Sequence, residues 1–475
     1  MTTGPATPRA PAHGRGHEVV GEVAGDPARQ QVYEHGWQSW SPAGLYPATA
    51  SSPRPRHPGS HTSGFRPHRT PPPQGFQGEG LLAVVADDGS ARVWYAPDPW
   101  NEVASVRAAP RPGATVVSAD GPVTELAADS LDEALTRVAD ALAAAAGVGE
   151  LRSLGPGWCS WYAYWGEVTE ADVLGNMGAA ERLGLDLAVV QVDDGHQAAI
   201  GDWLTRSPRF GPLDELGSRI ADTGHEPGIW TAPFLVAPDS DVAAAHPDWL
   251  LDGVVALHNW GQDIRILDVT HPDAAEHLSA VYRRLREQGF TYHKLDFLFA
   301  GAMEGPRQAD AGGLDAYGLG LDIIREALGA EATILGCGAP LLPSIGRVDA
   351  MRISPDIDPS AEPVDGDLSQ PSQRGAVTAG AARRWMHGRW WINDPDCILV
   401  RPQVEHRDAW ARYLRDCGGL MMSSDPLDQL DDDGLAWTRD LLRPSRPTPL
   451  DRAVGPSAVH TDIPDDDPLT HHSEP

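Results

Sequence analysis

The chain has 475 residues and carries 67 Asp and Glu against 37 Lys and Arg, a formal net charge of −30. No basic cluster stands ready to neutralise a phosphate backbone, so nucleic acid is not an expected partner. No apolar run approaches the roughly 18–20 residues of a membrane span, and residues 1–17 hold no apolar signal core, so a cytoplasmic chain without a membrane partner is expected.

Taken in order, residues 1–17 are rich in Pro, Gly, Arg and His and are expected to be disordered. Residues 18–130 show short β runs broken by Gly and Pro, among them Glu18–Val23, Leu81–Val85, Ala91–Tyr95 and Ala114–Ser118, and predict an all-β domain. Within it, residues 41–75 are crowded with Pro, Ser, His and Arg without periodicity, which reads as a loop insertion. Residues 131–150 form a linker around an Ala-rich helix, Leu131–Ala146.

From 151 to 445 the texture changes to apolar, strand-like runs alternating with amphipathic helices. The expected strands are Leu154–Ser160, Leu187–Val192, Pro227–Pro233, Tyr292–Phe297, Ala332–Cys337, Ala350–Ser354, Trp391–Leu399 and Leu420–Ser423. Between them lie helical patterns at Glu170–Leu183, Asp214–Asp222, Ala274–Gln288, Leu314–Leu328, Ser372–His387 and Val404–Asp416. Such alternation predicts an α/β fold, a (β/α)8 TIM barrel, with a doubly wound sheet as the alternative. The stretch from Cys337 to Ala350 is too short for a full helix, so irregularity is expected there. Residues 446–475 read as a flexible acidic tail. The four cysteines (Cys159, Cys337, Cys397 and Cys417) are too far apart for a thiolate zinc site or a disulfide framework.

One stretch stands out. Lys294 is the only lysine in the chain, two residues before Asp296 in an apolar run, so both side chains share one face of a strand. The bland alternative is a buried ion pair. Other expected strand ends are also polar: Trp158-Cys159-Ser160-Trp161, Asp193-Asp194-Gly195, Trp230, Cys337-Gly338, Arg352-Ile353-Ser354-Pro355-Asp356 and Asn393-Asp394-Pro395-Asp396. In a barrel these ends form a collar at one face. A divalent metal held by carboxylates with His196 or His293 is one reading, but Lys294 and Arg352 would repel a cation, and neither metal nor organic cofactor is expected. Sugar chemistry fits better. Asp193 and Asp194 can accept from adjacent hydroxyls, Trp230 can pack on a ring, and two acids can cleave a glycosidic bond. The favoured pair is Asp296 as nucleophile and Asp356 as acid/base. Asp356 is weaker on this reasoning, because Ser-Pro-Asp is also an ordinary turn, and Asn393-Asp394-Pro395-Asp396 reads as structural by the same token.

Together with Gly36-Trp37-Gln38-Ser39-Trp40, Val192-Asp193-Asp194-Gly195, Lys294-Leu295-Asp296 and Gly336-Cys337-Gly338, these motifs resemble, in order, the α-galactosidases of glycoside hydrolase family 36, in its compact bacterial branch. The resemblance implies an N-terminal all-β sandwich domain, a catalytic (β/α)8 barrel and a retaining exo-α-galactosidase acting on α-galactoside oligosaccharides. It puts the nucleophile on Asp296 and the acid/base on Asp356, and galactose hydroxyls on Asp193 and Asp194. Trp230, Lys294, Cys337 and Arg352 match further galactose contacts, Trp161 joins the substrate-binding set, and Trp37 matches a tryptophan projected over the barrel mouth. Trp40 reads instead as a sandwich-core residue. The tail after Leu442 is too short and polar for the C-terminal β-domain usual in the family. Rival readings are a galactosyltransferase of the raffinose-synthase kind, an α-N-acetylgalactosaminidase with Cys337 near the acetamido group, and an inactive sugar-binding protein.

Overall fold

The computed structural model describes residues 16–53, 55, 66, 69, 71–443 and 463. The expectations for residues 1–17, the centre of the 41–75 insertion and the 446–475 tail fall wholly or largely outside them.

Nine strands precede the first long helix: β1 (Glu18–Ala24), β2 (Gln31–Glu34), β3 (Gly44–Pro47), β4 (Phe76–Glu79), β5 (Leu81–Val85), β6 (Ala91–Tyr95), β7 (Ser105–Arg111), β8 (Ala114–Ala119) and β9 (Thr124–Ala128). They form two antiparallel sheets, β1-β8-β7-β4 and β3-β2-β5-β6-β9. β5 is covered on both faces. Leu82 and Val84 face Val106 and Val117 of the other sheet, while Leu81 and Ala83 join a core with Leu135 and Val138 of the following helix. A strand covered on both faces reads as an unbroken apolar run, and each buried Leu or Val contributes about 1.5–3 kcal/mol. That helix, Leu131–Ala146, starts where Ser130 accepts a hydrogen bond from the Glu133 N–H and stops at left-handed Gly147.

The second part is built on β10 (Gly157–Cys159), β11 (Val189–Val192), β12 (Glu226–Thr231), β13 (Leu235–Val236), β14 (Leu257–Asn259), β15 (Gln262–Ile266), β16 (Tyr292–Leu295), β17 (Thr333–Gly336), β18 (Ala350–Arg352), β19 (Ile392–Asp394) and β20 (Met422–Ser423). Eight of these make one curled parallel sheet in the order β19-β18-β17-β16-β12-β11-β10-β20. Beyond β20, the Ile398 N–H donates to the Met422 carbonyl at 2.7 Å and the Ser424 N–H to the Ile398 carbonyl at 3.1 Å. The segment after β19 thus meets the far edge of the sheet. Each of the eight expected strands is present, most of them shortened to the residues that pair, while β12 begins one residue early at Glu226. Helices cross between them at Glu170–Leu183, Leu213–Asp222, Pro272–Glu287, Gly313–Leu328, Gln373–Ala382 and Arg407–Cys417. Between β17 and β18 there is only a 3-10 turn, Leu342–Ser344, as the short spacing requires.

In the second part, the small antiparallel sheet β13-β15-β14 inserted after β12 and a last helix, Asp432–Leu441, were among the features not foreseen. The N-terminal part is tied to the parallel sheet by the segment Gly36–Ser41. The Ser39 N–H donates to the Ala339 carbonyl and the Leu341 N–H to the Trp37 carbonyl, both at 3.1 Å. Buried Arg383 donates to the carbonyls of Gln38, Ser39 and Ser41. Among the described residues no helix is long and apolar enough to cross a membrane.

Candidate active site

Polar side chains gather at the carboxyl ends of the parallel strands, where loops rather than ladder bonds surround them. On β16 the pleat puts Tyr292, Lys294 and Asp296 on one face. The Lys294 ammonium lies 2.9 Å from Asp193 Oδ2 and 3.9 Å from Asp296 Oδ2. Its closest partner is therefore Asp193, at the end of β11, and not the acid on its own strand. Burial works against the ammonium, yet Asp193 and then Asp296 outweigh it and hold Lys294 well above the usual lysine range. Asp193 also accepts from Gln191 Nε2 at 2.6 Å and from the Cys159 thiol at 3.4 Å. The glycine that follows this pair, Gly195, is required: at φ 118° a Cβ would stand 2.6 Å from the Gly166 carbonyl oxygen.

Asp296 is gripped by N–H groups. The Phe297 backbone N–H donates to Oδ1 at 2.7 Å and the Trp230 indole N–H to Oδ2 at 3.1 Å. Phe297 adopts a left-handed conformation (φ 51°, ψ 31°) that turns the chain away directly behind the carboxylate. Trp230 does not offer an open face for a sugar. It is 2% exposed and packs edge-on to Trp203 at 5.7 Å between centroids. Its route to the site is the indole N–H.

Asp356 lies in a different setting. Arg352 Nη1 donates to its Oδ1 at 2.8 Å, and the same guanidinium reaches Asp394 at 3.2 Å and Asp396 at 2.8 Å. Burial pushes the Asp356 carboxyl up to about 7 against the pull of Arg352, with Asp396 and Asp296 adding to the rise. Its side chain still keeps 31% of its surface open, so water can reach it. Arg352, with three carboxylates around it, holds the acid in place. Asp394 and Asp396 have a defined task here as Arg352 anchors, and Asp396 Oδ2 also accepts from the Tyr162 hydroxyl at 2.7 Å.

Asp194 is fixed by two donors, Gln197 Nε2 at 2.6 Å and the Trp260 indole N–H at 2.9 Å. Burial pushes its carboxyl up while these donors pull it down. Trp260 was not singled out from sequence. It sits at the β14–β15 turn with φ 49°, next to Gly261 at φ 72°, and its ring lies 5.3 Å from that of Phe297. Consecutive positive φ values mark a tight hairpin turn, but Asn259-Trp260-Gly261 lacks the usual Asn-Gly pair.

The remaining candidates divide. Cys337 is buried beside the acids, where burial and then Asp296 push its thiol well above the usual range. Trp161 is half-buried and meets Trp165 edge-on at 4.9 Å. Trp37 is 2% exposed, with the Arg66 guanidinium 5.7 Å above its ring, so it is not an open platform. Trp40 lies outside the core shared by the two N-terminal sheets. Its ring meets Phe297 at 5.0 Å and Phe299 at 6.2 Å, correcting the sandwich-core expectation. Gly338 at φ 52° makes room for it, since a Cβ there would stand 2.9 Å from Trp40. His196 and His293 each face a backbone carbonyl, of Trp230 at 2.9 Å and of Phe290 at 3.1 Å. Both are buried core histidines bonded through Nε2, with Nδ1 left without a hydrogen-bond partner among the described residues.

Residues 159–310 match the family model described as Melibiase. The chain is 32% identical over 168 residues to an α-galactosidase of Escherichia coli, covering 32% of this chain and 23% of that protein. It is 26% identical over 146 residues to the α-galactosidase AgaA of Geobacillus stearothermophilus, covering 29% and 20%. The matches thus span less than a quarter of these relatives' length. Among solved structures, TtGalA, the α-galactosidase of Thermus thermophilus in complex with stachyose, superposes with a TM-score of 0.73 at 27% identity, over 89% of this chain and 92% of that one. The GH36 α-galactosidase AgaA of Geobacillus stearothermophilus shares the fold, with a TM-score of 0.57 at 14% identity over 89% and 61%.

Proposed function

We propose that the chain belongs to glycoside hydrolase family 36 and is a retaining exo-α-galactosidase releasing terminal α-linked galactose from oligosaccharides. The observation that carries this reading is the pair of unlike acids: Asp296 held by N–H donors beside Lys294, and Asp356 raised to about 7 and open to water. One has an N–H donor on each oxygen; the other can hold and return a proton near neutral pH.

In the first step an Asp296 oxygen attacks C1 of the galactosyl unit. The C1–O bond to the leaving sugar breaks, and Asp356 gives its proton to that oxygen. In the second step Asp356 takes a proton from water, whose oxygen displaces Asp296 from C1 and leaves α-galactose with retained configuration. Asp193, Asp194 and Lys294 serve as the hydroxyl-binding floor, with Cys337 and Trp161 as walls and the Trp230 indole N–H fixing Asp296. Arg352 steers Asp356. In this reading residues 151–445 are a closed (β/α)8 barrel, with β20 joined to the segment after β19, and residues 18–130 are a β-sandwich whose Gly36–Ser41 segment and Trp37 complete the wall. The 131–150 helix links the two.

The test compares p-nitrophenyl α-galactoside with the α-glucoside and the α-N-acetylgalactosaminide. Clear preference for the first is expected. Equal inactivity on all three would sink the proposal, and preference for the third would move it to an N-acetylgalactosaminidase. Free galactose outweighing transfer product separates hydrolysis from a galactosyltransferase.

A further inference from the structure

Trp165 stands out among the described residues: a large aromatic side chain, 43% exposed, on strained backbone. Its φ of 51° and ψ of −151° lie beside a region that glycine occupies and bulky residues avoid. A substitution to glycine would relieve this at once, yet the chain carries tryptophan there. The neighbourhood enforces the conformation. Arg209 clamps the backbone that follows, donating to the carbonyls of Gly166, Val168 and Gly195.

Its position relative to the chemistry is defined by a short relay. The Trp165 ring meets Tyr162 edge-on at 5.5 Å and Trp161 edge-on at 4.9 Å. The Tyr162 hydroxyl donates to Asp396 at 2.7 Å, Asp396 accepts from Arg352 at 2.8 Å, and Arg352 holds Asp356 at 2.8 Å. Trp165 is therefore the solvent-side member of an aromatic group linked to Asp356 through Asp396 and Arg352. An acid that protonates the leaving oxygen has the leaving group on its own side, so this is where a second sugar would lie. Resting on the reading of the chain as an α-galactosidase, the geometry points to Trp165, supported by Trp161, as the platform for the leaving-group sugar, whose C–H face packs on the exposed indole. The chain then selects galactosides carried by another sugar over simple galactosides.

The experiment uses two substrates: raffinose, whose leaving group is a sugar, and α-galactosyl fluoride, whose leaving group offers no ring. Trp165→Ala and Trp165→Gly should lose on the order of tenfold in kcat/KM on raffinose, mainly through KM, and stay within about twofold on the fluoride. Trp165→Tyr should retain most of the raffinose activity. The glycine variant, freed of strain, should fold and melt no lower than the parent, so that a folding defect is not mistaken for a lost subsite. Equal losses on both substrates, or no loss on raffinose, overturn the platform. Failure of the unmodified protein to hydrolyse the fluoride overturns the underlying galactosidase reading as well.

Discussion

The two carboxylates at the ends of β16 and β18 are the same functional group in opposite surroundings. Asp296 has backbone and indole N–H groups on its two oxygens and an ammonium 3.9 Å away. Asp356 has a single Arg352 contact, an open flank, and two further carboxylates competing for that arginine. Donors favour a permanent anion, whereas burial near like charge favours a group that can take a proton. Division of labour is thus set by which atoms face each acid, not by the acids themselves.

Removing each in turn breaks the comparison most severely. Asp296→Ala should cost on the order of 10⁴-fold or more in kcat on every galactoside, as loss of a nucleophile does. Azide should restore turnover of an activated aryl galactoside by giving the β-galactosyl azide, detectable by NMR; an α-azide product would reassign the residue. Asp356→Ala should cost about 10²–10⁴-fold on raffinose and far less on aryl galactosides, whose leaving groups need little protonation. Equal losses on both would contradict an acid role.

A finer test moves the proton affinity instead of deleting the group. The acid must be protonated for the first step, so kcat/KM on raffinose should fall as pH rises through about 7, where Asp356 titrates. Asp396→Asn removes a charge that raises Asp356 and frees Arg352 to bind it more tightly. Both effects lower its pKa, so the alkaline limb should shift to lower pH by up to about one unit. A limb that stays put, or moves up, would show that another group governs it. The smallest expected effect is at Trp260→Phe, which removes the N–H on Asp194 but keeps a ring on Phe297. A bond to a charged group is worth roughly 1.5–3 kcal/mol, so KM should rise about tenfold with kcat little changed.

These contrasts also show what was legible in the sequence. The run holding Lys294 and Asp296 was readable because a lone lysine in an apolar strand has few uses and the two-residue period puts it on the face of the acid. The eight parallel strands were readable as apolar runs between amphipathic helices. β2, β3, β4, β7 and β9 were not, since their pairing depends on partners distant in sequence and several mix Gly, Pro or charge with apolar residues. The β14–β15 hairpin was hidden for a related reason, its turn lacking the expected Asn-Gly. Trp37 and Trp40 lie three positions apart in one motif, yet only the docking of Gly36–Ser41 decides which of them meets Phe297. Roles set by tertiary contact leave no local signature.

The grip of Arg383 on the carbonyls of Gln38, Ser39 and Ser41 has a consequence for the order of events on the ribosome. The Gly36–Ser41 segment is among the earliest parts of the site to be synthesised, and the guanidinium that clasps it comes more than three hundred residues later. Until then the segment is held only by local bonds such as the Gln38 N–H to Ser41 Oγ at 3.1 Å and the Ser41 N–H to the Gln38 carbonyl at 3.0 Å. Assembly of this region is in that sense a closing step: the chain loops back, the late arginine locks the early segment, and Trp40 settles against Phe297, directly behind Asp296.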